Sequence, residues 1–287
     1  MYKTGLIIVL LIFSISQHLS YAGIRQAKNF KEIKSILNYA GQDTLVIFDV
    51  DDVLLMPSDQ ILQRPFKKQL EEIEASMEAR VGKTEARKLY SIILSQRQVQ
   101  PVDLQIVVTI KNLQQKGIKV LALTNAPVGS FGHIRSMENW RQEELRSIGY
   151  DFEASWPNLS FKAFSSADLR GGLKEKHIKS RLFATDNSPT FIKGILCTCH
   201  MSKRAALQAF LTYAKLKPKK IIYLDDKLKY IKQLQEFALK EGIEFIGIEY
   251  TAAYQKQQEL NYKRAKKQFL ILERDGRWIS DKNIDKP

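Results

Sequence analysis

The sequence predicts an α/β fold: a three-layer α/β/α sandwich around a mainly parallel sheet, with a small helical cap inserted after the first core strand. Three observations lead there. Short, nearly continuous apolar runs occur at Thr44–Phe48, Ile118–Thr124, Lys220–Leu224 and Phe245–Glu249, the pattern of strands buried on both faces. Segments with helical spacing of apolar residues separate them, as parallel connections require. Three of the runs end at a polar group, Asp49, Thr124 or Asp225, and the carboxyl ends of parallel strands share the edge where ligands bind.

Each element has a local reason. Phe30 to Asn38 carries apolar residues at 30, 33, 36 and 37, a short amphipathic helix that Gly41-Gln42-Asp43 breaks. Pro57 and Pro65 punctuate a linker, and Phe66 to Ala79 is helical through Phe66, Leu70, Ile73 and Met77. Gly82 interrupts, and Thr84 is placed to cap a second helix bearing Leu89, Ile92 and Ile93. No strand alternation occurs here, so residues 56–100 read as the helical cap, and 23–55 with 101–287 as the core. Pro101 is placed to open a helix through Gln115, which Gly117 ends.

Further along, Met137 to Ser147 is helical, with Trp140, Leu145 and Ile148 inward and Gly149 closing it. Gly171-Gly172 and Asp186-Asn187-Ser188-Pro189 are turns, and Phe191 to Thr198 reads as a strand. Ser202 to Leu216 and Tyr230 to Glu241 are helices. Residues 251–272 read as one long polar helix with an apolar side, and Trp278-Ile279 as tucking the tail against the sheet.

Composition narrows the class. Of 287 residues, 44% are hydrophobic, enough for a sizeable core and against disorder throughout. Fourteen Gly exclude collagen, and two Cys exclude a disulfide scaffold. Lys and Arg number 45 against 31 Asp and Glu, a formal charge of +14 that favours anionic partners.

Residues 1–22 read as a signal peptide: Lys3, an unbroken apolar run Leu6–Phe13, then Ser20-Tyr21-Ala22 with small residues where cleavage requires them. The run is short for a transmembrane helix, which needs about 20 apolar residues. The expected destination is the periplasm or the exterior.

The chemistry resides in Val46-Ile47-Phe48-Asp49-Val50-Asp51-Asp52, Val120-Leu121-Ala122-Leu123-Thr124-Asn125 and Ile221-Ile222-Tyr223-Leu224-Asp225-Asp226-Lys227. A parallel sheet brings Asp49 and Asp51 to Asp225 and Asp226. Crowded carboxylates raise one another's pKa, and a divalent cation relieves the repulsion. Mg²⁺ suits an all-oxygen set, and no His or Cys cluster competes for Zn²⁺.

This order of motifs resembles the haloacid dehalogenase-like hydrolase superfamily, whose members are mostly phosphatases. The resemblance covers residues 45–227, and the signal segment is similar to that of secreted acid phosphatases in it. It implies that Asp49 is a nucleophile forming an aspartyl-phosphate, and Asp51 the acid that protonates the leaving oxygen and then activates water. It implies that Thr124 holds a phosphoryl oxygen, and that Lys203, at a helix start, neutralises Asp49 and the phosphoryl group. The Asp49 carboxylate, the Asp51 carbonyl and the Asp225 carboxylate would bind Mg²⁺, with Asp226 a ligand through water. Val53 stands where the family commonly has Thr. Asp51 itself argues against dehalogenation, because a halide leaves without a proton.

Lys193 rivals Lys203, and Lys227 is a candidate partner of Asp226. Asn125 either orients phosphate or caps a turn, Arg135 and Arg141 read as solvated, and His200 reads as a surface residue. Cys197-Thr198-Cys199 is not a Cys-x-x-Cys motif, and strain opposes a local disulfide. The expected partner is a small phosphorylated molecule or a nucleotide. The basic clusters Lys217, Lys219, Lys220 and Lys263, Arg264, Lys266, Lys267 also admit nucleic acid or an anionic membrane surface, yet no nucleic-acid-binding motif accompanies them. The expectation is therefore a phosphatase; the alternatives are a phosphotransferase and a secreted binding or host-interaction protein that retains the hydrolase fold.

Overall fold

The computed structural model describes residues 23–169, 188–255 and 259–285. The expected signal segment, the Gly171-Gly172 turn and the start of the Asp186–Pro189 turn lie outside the described residues.

The centre is a mostly parallel sheet. In chain order its strands are β1 (Gly23–Ala27), β2 (Thr44–Phe48), β5 (Lys119–Thr124), β6 (Lys162–Ala163), β7 (Thr190–Ile192), β8 (Ile195–Cys197), β9 (Lys220–Asp225) and β10 (Glu244–Tyr250). They stand in the order β1-β10-β9-β2-β5-β8-β7-β6. Every pairing from β1 across to β8 is parallel, and β7 and β6 complete the edge antiparallel. A separate ribbon pairs β3 (Leu55–Pro57) with β4 (Val99–Pro101).

Strand alternation builds two core layers. Val46 and Phe48 of β2 face one side with Val120 and Ala122 of β5. There they meet Ile33, Ile36 and Leu37 of α1 (Lys31–Asn38), Ile106, Ile110 and Leu113 of α4 (Leu104–Gln115), and Leu145 of α5 (Met137–Ser147). Leu45 and Ile47 face the other side, against Leu207 and Phe210 of α6 (Lys203–Tyr213) and Ile231 and Leu234 of α7 (Leu228–Lys240). Each fully buried Leu, Ile or Phe contributes about 1.5–3 kcal/mol from area removed from water.

A third apolar cluster lies beside this sandwich. Ile73 and Met77 of α2 (Lys67–Val81) pack with Leu89 and Ile93 of α3 (Lys83–Gln96). The same cluster includes Phe131, Met137, Trp278, and Phe269 and Leu272 of α8 (Tyr262–Asp275). The helical segment after β2 therefore shares its core with the end of the chain.

Several local expectations need correction. Gly23–Ala27, unassigned by pattern, is an edge strand parallel to β10, where backbone pairing decides the conformation of a half-polar segment. Gly82, not Thr84, stands at the N-cap of α3. Pro101 lies in β4, and α4 starts three residues later, with the Asp103 carboxylate accepting from Gln105 N at 2.8 Å. Phe191–Thr198 is a hairpin rather than one strand, because Lys193 and Gly194 both take positive φ. Within 251–272, a 3-10 turn at Ala252–Tyr254 comes first and α8 starts at Tyr262, with Asn261 capping it. Trp278 joins the helical cluster instead of the sheet: its ring packs edge-on to Phe269, and its indole N–H donates to Asp59 at 2.7 Å.

Candidate active site

Strand register builds the site. Phe48 pairs with Leu224, so the residues after them, Asp49 and Asp225, emerge side by side from β2 and β9. On the other flank β2 pairs with β5, which ends at Thr124. The chain leaves β2 through a tight loop in which Leu54 N donates to Val50 O and Asp52 takes a φ of 66°. Lys203 is the first residue of α6, whose start Ser202 caps.

Four of the predicted residues, Asp49, Lys203, Asp225 and Asp226, come together. Lys203 Nζ lies 2.7 Å from Asp49 Oδ1 and 2.6 Å from Asp225 Oδ2. Asp49, Asp225 and Asp226 can bring one carboxylate oxygen each within 4.8 Å of one another, and all three are buried. Asp226 also pairs with Lys227 Nζ at 3.2 Å and accepts from the Tyr254 hydroxyl. Asp225 accepts from the Tyr223 hydroxyl and from Lys227 N, the latter at 2.8 Å. Thr124 Oγ1 is buried at the end of β5 without a hydrogen-bond partner among the described residues.

Asp51 is held elsewhere. Its half-exposed carboxylate faces the guanidinium of Arg141, with contacts of 3.1 and 3.2 Å, and it is not part of the buried carboxylate cluster. The solvated reading of Arg141 is thereby corrected: Met137, Arg141 and Leu145 form one buried stripe along α5.

The electrostatics separate these carboxyls. Burial pushes Asp49 well above the usual carboxylate range, with Lys203 opposing and Asp225 and Asp226 adding to the rise. Desolvation acts the same way on Asp51, yet Arg141 and then Arg97 outweigh it and hold the group low. Asp226 is also held low, burial being outweighed by Lys227, the Tyr254 hydrogen bond and Lys203. Burial disfavours charge on Lys203, but Asp225 and Asp49 reverse the effect and keep it cationic. Three buried carboxyl groups thus face two ammonium groups, Lys203 and Lys227.

Other candidates resolve by position. Lys193 sits in the turn before β8, away from the carboxyl ends of the strands, and pairs with Glu153 at 3.6 Å. Asn125 Oδ1 accepts from Thr198 Oγ1 at 2.6 Å, a contact between the segments that follow β5 and β8. His200 is half-buried in a left-handed turn. Cys197 and Cys199 are buried and not joined in a disulfide, and burial pushes Cys197 up to about 12. Lys219, Lys220 and Arg264 reach Asp43, Glu244 and Asp285 on the surface.

Tyr223 and Tyr254 were not among the expected site residues. Period-two alternation could have found Tyr223, which shares a strand face with Asp225. Nothing local marked Tyr254, which reaches Asp226 from the turn after β10.

The fold and site define an α/β protein with a lysine–carboxylate centre at the carboxyl ends of its parallel strands. The chain belongs to the family described as "Protein of unknown function (DUF2608)", whose pattern matches residues 26–285. It is similar to an uncharacterized protein of Rickettsia prowazekii, 24% identical over 92% of this chain and 91% of that one. A "putative outer membrane protein" of Chlamydia trachomatis is 26% identical over 85% of this chain and 80% of its own length. Another putative outer membrane protein, from Chlamydia muridarum, is 23% identical over 78% and 76%. No solved structure matches.

Proposed function

We propose that the protein is a magnesium-dependent phosphomonoesterase of the haloacid dehalogenase-like type, acting on a small phosphorylated molecule. One observation carries the reading: Lys203 Nζ joins Asp49 and Asp225, which come from different strands, within 2.7 Å of each. The unpartnered hydroxyl of Thr124 at the end of the adjoining strand supports it, as a buried donor suited to a phosphoryl oxygen.

Asp49 attacks phosphorus through a carboxylate oxygen, and the alkoxide leaves with the bonding pair. Lys203 holds Asp49 and offsets the charge of the transferred group, an electrostatic task. Asp51 gives a proton to the leaving oxygen and then takes one from the water that attacks phosphorus, which cleaves the aspartyl-phosphate, releases inorganic phosphate and regenerates Asp49. The ion pair with Arg141 favours the carboxylate form of Asp51, which suits taking the proton from water and opposes the earlier donation to the leaving oxygen. The carboxylates of Asp49 and Asp225, the carbonyl of Asp51 and, through water, Asp226 would hold Mg²⁺. When bound, the ion supplies positive charge that keeps Asp49 ionised.

An envelope or secreted location accompanies this reading. The predicted signal segment supports it, as do the names of the chlamydial relatives. Among the described residues no helix is long and apolar enough to cross a membrane.

The test is phosphate release from a phosphomonoester panel by purified protein, with Mg²⁺ or excess chelator, for wild type and Asp49→Asn. Metal-dependent release that Asp49→Asn abolishes is the expected result. No release by folded, metal-supplied wild type would overturn the phosphatase reading and favour a binding role for the retained fold.

A further inference from the structure

A line of alternating charges connects the helical layer to Asp51. Arg97 follows the last residue of α3. Its Nε and Nη2 donate to Glu144 Oε1 at 2.9 and 2.7 Å. The other oxygen of Glu144 accepts from Arg141 Nη1 at 2.6 Å. Arg141 in turn straddles the carboxylate of Asp51, Nη1 to Oδ1 and Nη2 to Oδ2. Arg97, Glu144 and Arg141 are at most 10% exposed at their side chains, whereas Asp51 is 48% exposed. The indole of Trp140 lies near both guanidinium groups, 5.3 Å from Arg97 Cζ and 4.8 Å from Arg141 Cζ.

We propose that Arg141 is a positioning residue for Asp51, and that Glu144 and Arg97 tie its placement to the helical layer, so that the seating of α3 and the orientation of Asp51 are set together. This rests on the phosphatase reading only for its kinetic consequence; the linkage itself is a property of the fold.

The argument is one of charge and geometry. Two cations and two anions alternate, so each inner member is shared by two neighbours of opposite sign. Two parallel contacts from a planar guanidinium fix a carboxylate in rotation as well as in distance. Removing Arg97 leaves one guanidinium between two carboxylates. Glu144, buried, keeps its claim on Arg141, and Asp51, half-exposed, is the partner free to turn into water. The effect of losing Arg97 thus falls on Asp51, on another element, through Glu144 and Arg141 and, in smaller part, through the direct attraction of Arg97 for Asp51. Arg80, which joins α2 to Glu273 of α8 at 2.6 Å, crosses the same helical layer without entering the line and serves as the control.

The first experiment is a double-mutant cycle on the full protein, Arg97→Gln with Asp51→Asn, read as the unfolding constant in urea. Non-additivity of about threefold or more is expected, and it should be clearly smaller in a Glu144→Gln background, where only the direct attraction of Arg97 for Asp51 remains. Additive effects, or coupling left undiminished by Glu144→Gln, would overturn the linkage. The second experiment is kinetic. Arg97→Gln and Arg141→Gln should lower kcat by about tenfold or more with KM within about twofold, Arg141→Lys should recover part of the loss, and Arg80→Ala should leave kcat unchanged. Equal loss in Arg80→Ala, or a change in KM alone, would overturn the positioning role. Absence of turnover in wild type would overturn the phosphatase reading, and the cycle would still decide the linkage.

Discussion

Lys203 Nζ and Asp49 Oδ1 are 2.7 Å apart in space and 154 positions apart in the chain. The contact is buried on both sides, Lys203 being almost fully enclosed. It places the start of α6 over the end of β2, and Asp225 of β9 completes the bridge.

Removing that ammonium group leaves Asp49 and Asp225 buried without it. Lys203→Met is expected to destabilise the fold by about 3–5 kcal/mol. Urea unfolding measures this. Adding Asp225→Asn should return part of the loss, since one of the stranded charges is then gone.

Thr124 predicts the opposite balance. Its hydroxyl is buried and unpartnered, so Thr124→Val removes an unsatisfied polar group at nearly constant shape. Stability should rise by about 1 kcal/mol while phosphate release falls. A melting curve and a turnover assay on the same sample check both halves.

Glu74 of α2 gives the helical layer a dependence on pH. Burial raises its carboxyl from the ordinary 4.5 to about 7, partly opposed by a hydrogen bond with Tyr90. The folded state then binds more protons than the unfolded state between these values, so this group's contribution to stability falls as pH rises from about 4.5 to 7. Glu74→Gln should be more stable than wild type at pH 8 by on the order of 1 kcal/mol, allowing for partial solvent screening, with the difference shrinking toward pH 4.5. Thermal melts across that range measure it.

The hairpin between β7 and β8 depends on Gly194. Its φ is +79°, and a Cβ there would land on the backbone carbonyl of Phe152. Gly194→Ala is expected to cost about 2 kcal/mol or more, read from the urea midpoint. An unchanged midpoint would mean that the turn relaxes without cost.

The buried strands and the polar groups at their ends were legible in the sequence because both signals are local. Thr44–Phe48 is apolar throughout because it lies between two helical layers, and β2 has those limits in the structure. Asp49, Thr124, Lys203, Asp225 and Asp226 stood out because each falls where a predicted strand ends or a helix begins. The helical character of the segment after β2 was legible for the same reason, in the spacing of Ile73 with Met77 and of Leu89 with Ile93.

What required tertiary structure was partnership. Gly23–Ala27 is a strand only because β10 is beside it. Trp278 could have covered the sheet, but the Asp59 carboxylate and the Phe269 ring set it in the helical layer. Arg141 looks like any helical arginine until Asp51 and Glu144 are seen on either side of it. Periodicity reports which residues are buried, since burial follows from one element's own geometry. It carries no record of which distant charge compensates a buried one, and that choice decides how Lys203 and Arg141 divide the carboxylates between them.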